Sequence, residues 1–288
     1  MPTLLVFYEI NPYNFFIMAN VKSRLSVDSK FGRVFILIVF VLTLFTWLLN
    51  TPPGLFGKAD SIGYAVCHRI DLRSFYFGER QMPLCARCSG MYLGAMLGLV
   101  YQRIASNKRV GMLPKSIIIP TAFFALAFIA DGVNSFLSIF PGSPNLYEPN
   151  NTLRLITGTG MGLAIAIILY PAFNATVWQL IDPRPPFENF KSFAVLVALG
   201  IGLIALVLLE NPIILYPLAI ISAAGVILLL TLVYTMVLVM VFRVENRYNH
   251  WNQVINYLIA GLTLAIIQIG ILDFLRFFLT GTWEGFHL

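Results

Sequence analysis

The sequence predicts an all-α fold, a polytopic membrane bundle of about seven transmembrane helices, and two observations predict it. Of the 288 residues, 58% are hydrophobic and only 11% are charged, whereas soluble domains have about 25% charged residues. Uncharged apolar runs recur along the chain, and most approach the roughly 20 residues that a helix needs to cross a bilayer. A chain of this composition is expected to lie in a membrane, with lipid as its main partner.

Seven apolar runs mark the predicted spans. They cover about residues 34–49, 90–104, 116–140, 152–170, 192–209, 213–242 and 254–278. Breaks such as Pro141-Gly142-Ser143-Pro144 separate them. The sixth run is longer than one bilayer thickness requires, so it is predicted to tilt or to extend into water. The stretch between the first two runs is polar and is predicted to be a loop.

Glycines recur at helical spacing in two of the spans. Gly90, Gly94 and Gly98 repeat every four residues in the second span, and Gly158 and Gly162 do so in the fourth. Residues four apart lie on one helix face, and a face of small residues lets another backbone approach closely. These faces are therefore predicted to pack helices together.

Basic residues predict the orientation in the cell membrane. With the amino terminus in the cytoplasm, most of the 19 basic residues fall in inner segments, as the positive-inside rule requires. The polar loop before the second span and the carboxyl terminus then lie outside. The net charge of +6 is assigned to these loops, so no nucleic-acid partner is expected. The first 20 residues lack the signal-peptide pattern, and translation is expected to start at Met1 or Met18.

All three cysteines lie within one short window. Cys67 is followed by His68, and Cys85 and Cys88 form a Cys-x-x-Cys pair. Thiolate and imidazole are the ligands that zinc prefers, and four of them complete a tetrahedron. We therefore predict a zinc site of Cys67, Cys85 and Cys88, with His68 as the fourth ligand or as a support to the ligands.

Other cofactors fit the cysteine window less well. Covalent haem needs a histidine where Ser89 follows Cys88, and an iron–sulfur cluster normally needs four cysteines. Copper on thiolates stays open. The sequence has no nucleotide-binding loop motif, so neither haem nor a nucleotide is expected.

Two alternatives to a functional metal site remain. Cys85 and Cys88 precede the second span, where the helix end and Arg87 would lower the thiol pKa, so the pair is also typical of a membrane thiol-disulfide oxidoreductase. The cluster is equally compatible with a staple, a metal or disulfide that only ties the loop to the helix.

Charged residues inside spans are costly and usually face a partner or a cavity. Asp131 and Arg154 are predicted at the same membrane face as the cysteines, where they form either an ion pair or part of a site. Asp273 and Arg276 are predicted to pair locally on the seventh span. Arginines of this face suit an anionic group, which they hold by bidentate hydrogen bonds, although lipid headgroups are an alternative partner.

At these residues the chain resembles the multi-pass membrane proteins catalogued as domain of unknown function 2085. The resemblance rests on CHRIDLRSF from Cys67, PLCARCSGMYLG from Pro83, the Asp131-Gly132 pair and NNTLRLITG from Asn150. It implies a multi-pass membrane protein with a cysteine signature, and it groups Asp131, Asn151 and Arg154 with the cysteines. It implies no reaction.

These observations give one functional hypothesis. Residues 1–33 form a cytoplasmic segment, residues 34–171 a membrane domain with the Cys/His loop at 51–89, and residues 172–288 further membrane helices. If the protein is an enzyme, water activated by the metal attacks an anionic or lipid-linked substrate, and Asp131 orients that water or acts as base. The predicted substrate-binding residues are Arg69, Arg73, Arg87, Asn151 and Arg154. A transporter is disfavoured, because the fifth and sixth spans are almost free of polar residues.

Overall fold

The fold is a bundle of helices, seen in a computed structural model that describes residues 27, 29–140, 142 and 144–285. Most of the predicted cytoplasmic segment, with both candidate start residues, lies outside these residues. The helices are α1 (Lys30–Asn50), α2 (Gly54–Val66), α3 (Ala86–Ala105), α4 (Lys115–Leu137), α5 (Asn151–Val177), α6 (Phe190–Leu208), α7 (Pro212–Val241) and α8 (Trp251–Thr280). The predicted all-α membrane bundle is confirmed.

Six of the described helices, α1 and α4 to α8, are long and apolar enough to cross a membrane. The remaining predicted span corresponds to α3, which has 20 residues and a more polar sequence. Two of its polar side chains are shielded by neighbouring helices: Ser89 and Gln102 are both fully buried, and Gln102 donates to the Ala166 carbonyl of α5 at 2.7 Å. A helix surrounded by protein in this way does not need an apolar surface.

Short polar side chains fix where several helices begin. Asn150, Asn189 and Asn211 each accept a hydrogen bond from a backbone N–H in the first turn of α5, α6 and α7. These N-caps satisfy donors that have no partner inside the helix. Pro212 occupies the first residue of α7, where a missing N–H costs nothing.

The predicted polar loop contains structure that the hydropathy pattern did not reveal. Helix α2 fills its first part, and a hairpin of β1 (Tyr76–Phe77) and β2 (Arg80–Gln81) lies before α3. The hairpin turns at Gly78, whose φ of 67° favours glycine. Phe77 packs on Tyr216 of α7, with 4.7 Å between ring centroids. The loop is thus folded against the bundle, which holds the cysteines at defined places.

Helix α5 extends further than the sequence predicts. The predicted fourth span ends at about residue 170, whereas the helix continues to Val177, although Pro171 lies inside it. Phe173 and Val177 are buried against Val254 and Tyr257 of α8. The packing of this last turn outweighs the single backbone hydrogen bond that the proline removes.

The largest interface in the bundle joins α3 and α5. A Cβ added at Gly94 would lie 2.6 Å from the Thr159 carbonyl oxygen, and one at Gly162 would overlap the Met91 carbonyl. The two predicted glycine faces therefore pack on each other, and the prediction is confirmed. Helices α4 and α6 flank this pair, α7 contacts both α3 and α8, and α1 packs on α8 at the edge.

This close approach predicts that alanine destabilises the protein when it replaces a glycine of the α3–α5 interface, but not when it replaces a glycine where a Cβ has open space. Gly94→Ala places a methyl group against the α5 backbone, so we expect the free energy of unfolding to fall by about 1–3 kcal/mol. Gly202→Ala on α6 is the matched control, since a Cβ there meets no atom of the described residues within 4 Å. Thermal unfolding in detergent measures both, and an equal melting temperature for the two variants would contradict the packing.

Candidate metal centre

The three cysteines converge where α2 ends and α3 begins. Cys67 follows α2, and its N–H donates to the Gly63 carbonyl at 2.8 Å. Cys85 is the N-cap of α3 and Cys88 lies in its first turn. The three sulfur atoms all lie within 4.8 Å of one another. The Cys85 N–H donates to the Cys67 sulfur at 3.3 Å, so the backbone also helps to hold the cluster.

This arrangement fits a metal ion. Zn–S bonds of about 2.3 Å in a tetrahedron separate the sulfurs by about 3.8 Å, which lies within the spread of the cluster. Cys67 is only 5% exposed and packs among apolar residues such as Leu84 and Ile269. Three close thiols can hold a metal ion, and together they supply three of four tetrahedral corners.

The three thiols shift each other's pKa. A hydrogen bond with Cys85 lowers the pKa of Cys67 well below its usual range, and the same interaction raises the pKa of Cys85 to about 12. The expected lowering of the Cys85 pKa is therefore not seen. Arg87, which was expected to lower it, is engaged with Asp131.

The fourth ligand position is not filled by a side chain of the cluster. Among the described residues, the group of close ligand atoms consists of the three cysteines, and His68 is exposed beside them. Its role as fourth ligand or as a support stays a prediction.

Arg276 of α8 holds the backbone around Cys67. Its guanidinium donates to the carbonyls of Tyr64 and Cys67, each at 2.6 Å, and to that of His68 at 3.1 Å. It also stacks on the Tyr64 ring at 4.0 Å. A cation at the carboxyl end of α2 is favourable for the helix dipole. The sequence predicted a local pair of Arg276 with Asp273 and did not predict these contacts with the backbone around Cys67. No sequence pattern reveals them.

Asp131 forms an ion pair with Arg87, not with Arg154 as the sequence suggested. Its Oδ2 accepts from the Arg87 guanidinium, with Nε at 2.9 Å, and its Oδ1 accepts from the Tyr147 hydroxyl at 2.7 Å. Burial and this hydrogen bond raise the pKa of Tyr147 to about 12. The carboxylate is 1% exposed and both oxygens are engaged, which suits a group that positions Arg87. Its catalytic role stays a prediction.

Two further arginines lie beside Arg87. Arg73 donates to the Ser135 carbonyl at 3.3 Å, and Arg87 donates to the Ser135 hydroxyl at 2.8 Å. Burial lowers the pKa of Arg73, and the charge of Arg87 lowers it further. Arg154 lies within electrostatic reach of both. We call Arg73, Arg87 and Arg154 the arginine cluster.

Asn151 connects Arg154 to the folded loop. Its side-chain oxygen accepts from Arg154 at 3.0 Å, and its nitrogen donates to the carbonyls of Leu72 and Ser74 at 3.3 and 3.4 Å. Ser135 and Tyr147 were not predicted as part of the site. Ser135 lies four residues after Asp131, on the same helix face, and this spacing was the available signal. Tyr147 lies in a loop whose path the sequence does not specify.

Arg69 belongs to a different group of charges. It pairs with Asp60 of α2 at 3.1 Å, and Arg80 of the hairpin pairs with the same carboxylate at 2.5 Å. The structure thus brings Arg73, Arg87, Asn151 and Arg154 together and places Arg69 with α2. Its assignment to a substrate stays a prediction.

Comparison with known proteins places the same region in a family. The sequence profile described as "Predicted membrane protein (DUF2085)" matches residues 67–168. An uncharacterised protein of Methanothermobacter thermautotrophicus is 30% identical over 103 residues, which is 36% of this chain and 83% of that protein. The chain belongs to the DUF2085 family. An uncharacterised protein of Methanocaldococcus jannaschii is 28% identical over 151 residues, 51% of this chain and 90% of the relative. No solved structure matches.

The DUF2085 match coincides with the site. It begins at Cys67 and ends inside α5, so it contains the three cysteines, the Arg87–Asp131 pair and the rest of the arginine cluster. Arg276 and α8 lie beyond it.

The contacts of Arg276 predict its effect on Cys67. Arg276→Gln removes donors from three carbonyls, so the Cys67 loop is expected to loosen and its thiol to react several-fold faster with a maleimide, since hydrogen bonds from charged donors contribute about 1.5–3 kcal/mol. Arg103→Gln is the control, because Arg103 donates to Asn107 after α3. An unchanged thiol reaction rate in Arg276→Gln would argue against this role.

Proposed function

We propose that this DUF2085 protein binds one zinc ion through Cys67, Cys85 and Cys88 at the outer face of the membrane, and that the arginine cluster binds an anionic group beside it. The observation that carries the proposal is the convergence of three sulfurs within 4.8 Å. Thiolates favour zinc over magnesium or calcium, which prefer oxygen ligands. His68, adjacent to Cys67, is the proposed fourth ligand.

An excess of positive charge supports the anion site. Among the described residues, Arg87 is the one member of the arginine cluster that forms an ion pair with a carboxylate, that of Asp131. Arg154 is 6% exposed, and its Nε has no hydrogen-bond partner among the described residues. Unpaired buried charge is costly, and a phosphate or carboxylate accepts bidentate hydrogen bonds from arginine. Such a group can come from a small anion or from a lipid.

In this proposal Asp131 positions Arg87 within the anion site. Because it holds Arg87 against α4, a ligand meets this guanidinium in one orientation. Base catalysis by Asp131 would require the carboxylate to release Arg87 or Tyr147 first, so the proposal assigns binding to the site, not a reaction.

Metal analysis of the full chain tests the zinc site. The purified protein is expected to carry about one zinc ion, with all three thiols protected until a chelator is added. Cys67→Ser, Cys85→Ser and Cys88→Ser should each lose the metal, whereas Ser192→Ala in the first turn of α6 should keep it. Elemental analysis and a thiol count measure both quantities.

The outcome separates the alternatives. A metal-free protein with a Cys85–Cys88 disulfide would overturn the zinc site in favour of thiol–disulfide exchange. Zinc in a protein that binds no anion would reduce the centre to a structural staple.

Phosphate binding tests the arginine cluster independently of the metal. Arg154→Gln is expected to weaken binding by about tenfold or more, since hydrogen bonds to charged groups contribute about 1.5–3 kcal/mol. Arg80→Gln, outside the cluster, is the control, and zinc content should be unchanged in both. Inorganic phosphate and phosphatidylcholine vesicles containing phosphatidic acid distinguish a free anion from a lipid headgroup. Equal affinity in wild type and Arg154→Gln would refute the cluster as the anion site.

A further inference from the structure

A second polar feature lies away from the metal centre, in a groove between α1 and α8. The groove has a volume of about 860 Å³ and includes Trp47, Thr46, Gly270 and Asp273 in its lining. This size is at the upper end of ordinary ligand pockets, which are about 300–1,000 Å³. Its walls are mainly apolar side chains such as Phe274, so a ligand that fills it must be mainly apolar too.

Asp273 is the unusual member of this groove. It is 3% exposed, and its Oδ2 accepts from the Trp47 indole at 3.1 Å. Its Oδ1 is buried and has no hydrogen-bond partner within the described part of the chain. An unsatisfied carboxyl oxygen inside a membrane helix is costly, and such residues usually mark a site.

The nearby cations direct their donors elsewhere. Arg276, one turn further along α8, donates to the carbonyls around Cys67. Lys58 donates to the Leu48 carbonyl and to the carbonyl and hydroxyl of Thr51, at the end of α1. Among the described residues that line the groove, none is a lysine or an arginine. The charge of Arg276 acts on Asp273 from outside the groove, and the lining itself offers an acceptor oxygen to a ligand.

We propose that this groove binds a phospholipid with a primary ammonium headgroup, an ethanolamine lipid. The ammonium has three N–H donors, one of which satisfies Asp273 Oδ1, and the acyl chain lies along the apolar walls between α1 and α8. The site complements the headgroup in charge and the chain in polarity. A choline headgroup has the same charge without an N–H donor, so the groove should discriminate between the two lipids.

Lipid retention by the full chain tests this site. The protein is reconstituted in bilayers of equal parts phosphatidylethanolamine and phosphatidylcholine with identical acyl chains, then extracted, and retained lipids are counted by native mass spectrometry. We expect the wild-type protein to enrich the ethanolamine lipid about tenfold or more, because one hydrogen bond to a charged group is worth about 1.5–3 kcal/mol.

Two variants locate the binding. Asp273→Asn keeps an acceptor for Trp47 and removes the charge, so the enrichment should disappear. Gly270→Leu fills the groove and leaves the carboxyl in place, so both lipids should be lost. Among the described residues, a Cβ at Gly270 meets only the Trp47 side chain, in ordinary contact at 3.7 Å, and the rest of the leucine side chain extends into the groove. Asp182→Asn, in the loop before α6, is the control and should behave as wild type.

The outcomes decide the proposal even if Asp273→Asn does not fold, because Gly270→Leu tests the same groove. No enrichment in the wild type, or wild-type enrichment in either groove variant, would overturn it. Zinc and phosphate binding are measured in the same preparations, so failure of this site is distinguishable from failure of the metal centre.

Discussion

Backbone contact between α3 and α5 is the constraint on which the site depends. Because glycines replace side chains along both faces, the Arg87 carbonyl lies against Gly158, one turn from Arg154. Arg87 then reaches Asp131 on α4, which also packs on α5. A larger residue at this contact would separate the helices and move the members of the arginine cluster apart. The glycines thus allow the close helix packing that brings the charged groups of Arg87, Arg154 and Asp131 near one another inside the bundle.

The sequence predicts the spans well because hydropathy is a property of each segment alone. The seven predicted spans correspond to α1 and α3 to α8, and the glycine faces and cysteine window were also visible. Helix α2 was not predicted because its 13 residues contain Lys58, Asp60 and three glycines, a composition that is typical of a loop. Its burial against α7 and α8 stabilises it, and such contacts are not encoded in local hydropathy.

Pairing among charges was harder to predict than their shared location. The sequence placed Asp131 and Arg154 at the same face. In the structure Arg154 is within electrostatic reach of Asp131 and Cys85, but Asp131 forms its ion pair with Arg87. That choice depends on the rotation of α3 and α4 about their axes, which packing sets. Arg69 shows the same limit: proximity in sequence to Cys67 suggested a common site, yet the α2 helix offers Asp60 at hydrogen-bond distance.

Helix α8 connects the two sites through a single turn. Arg276 binds the backbone that carries Cys67, and Asp273 faces the groove and Trp47 of α1. Residues three apart on a helix move together, because the backbone between them is rigid on the scale of a turn. A rotation of α8 that brings Asp273 closer to α1 therefore also shifts the guanidinium that fixes Cys67. A ligand in the groove that moved α8 would for this reason also act on the backbone that carries Cys67, although the proposed ligands of the two sites differ in charge and chemistry.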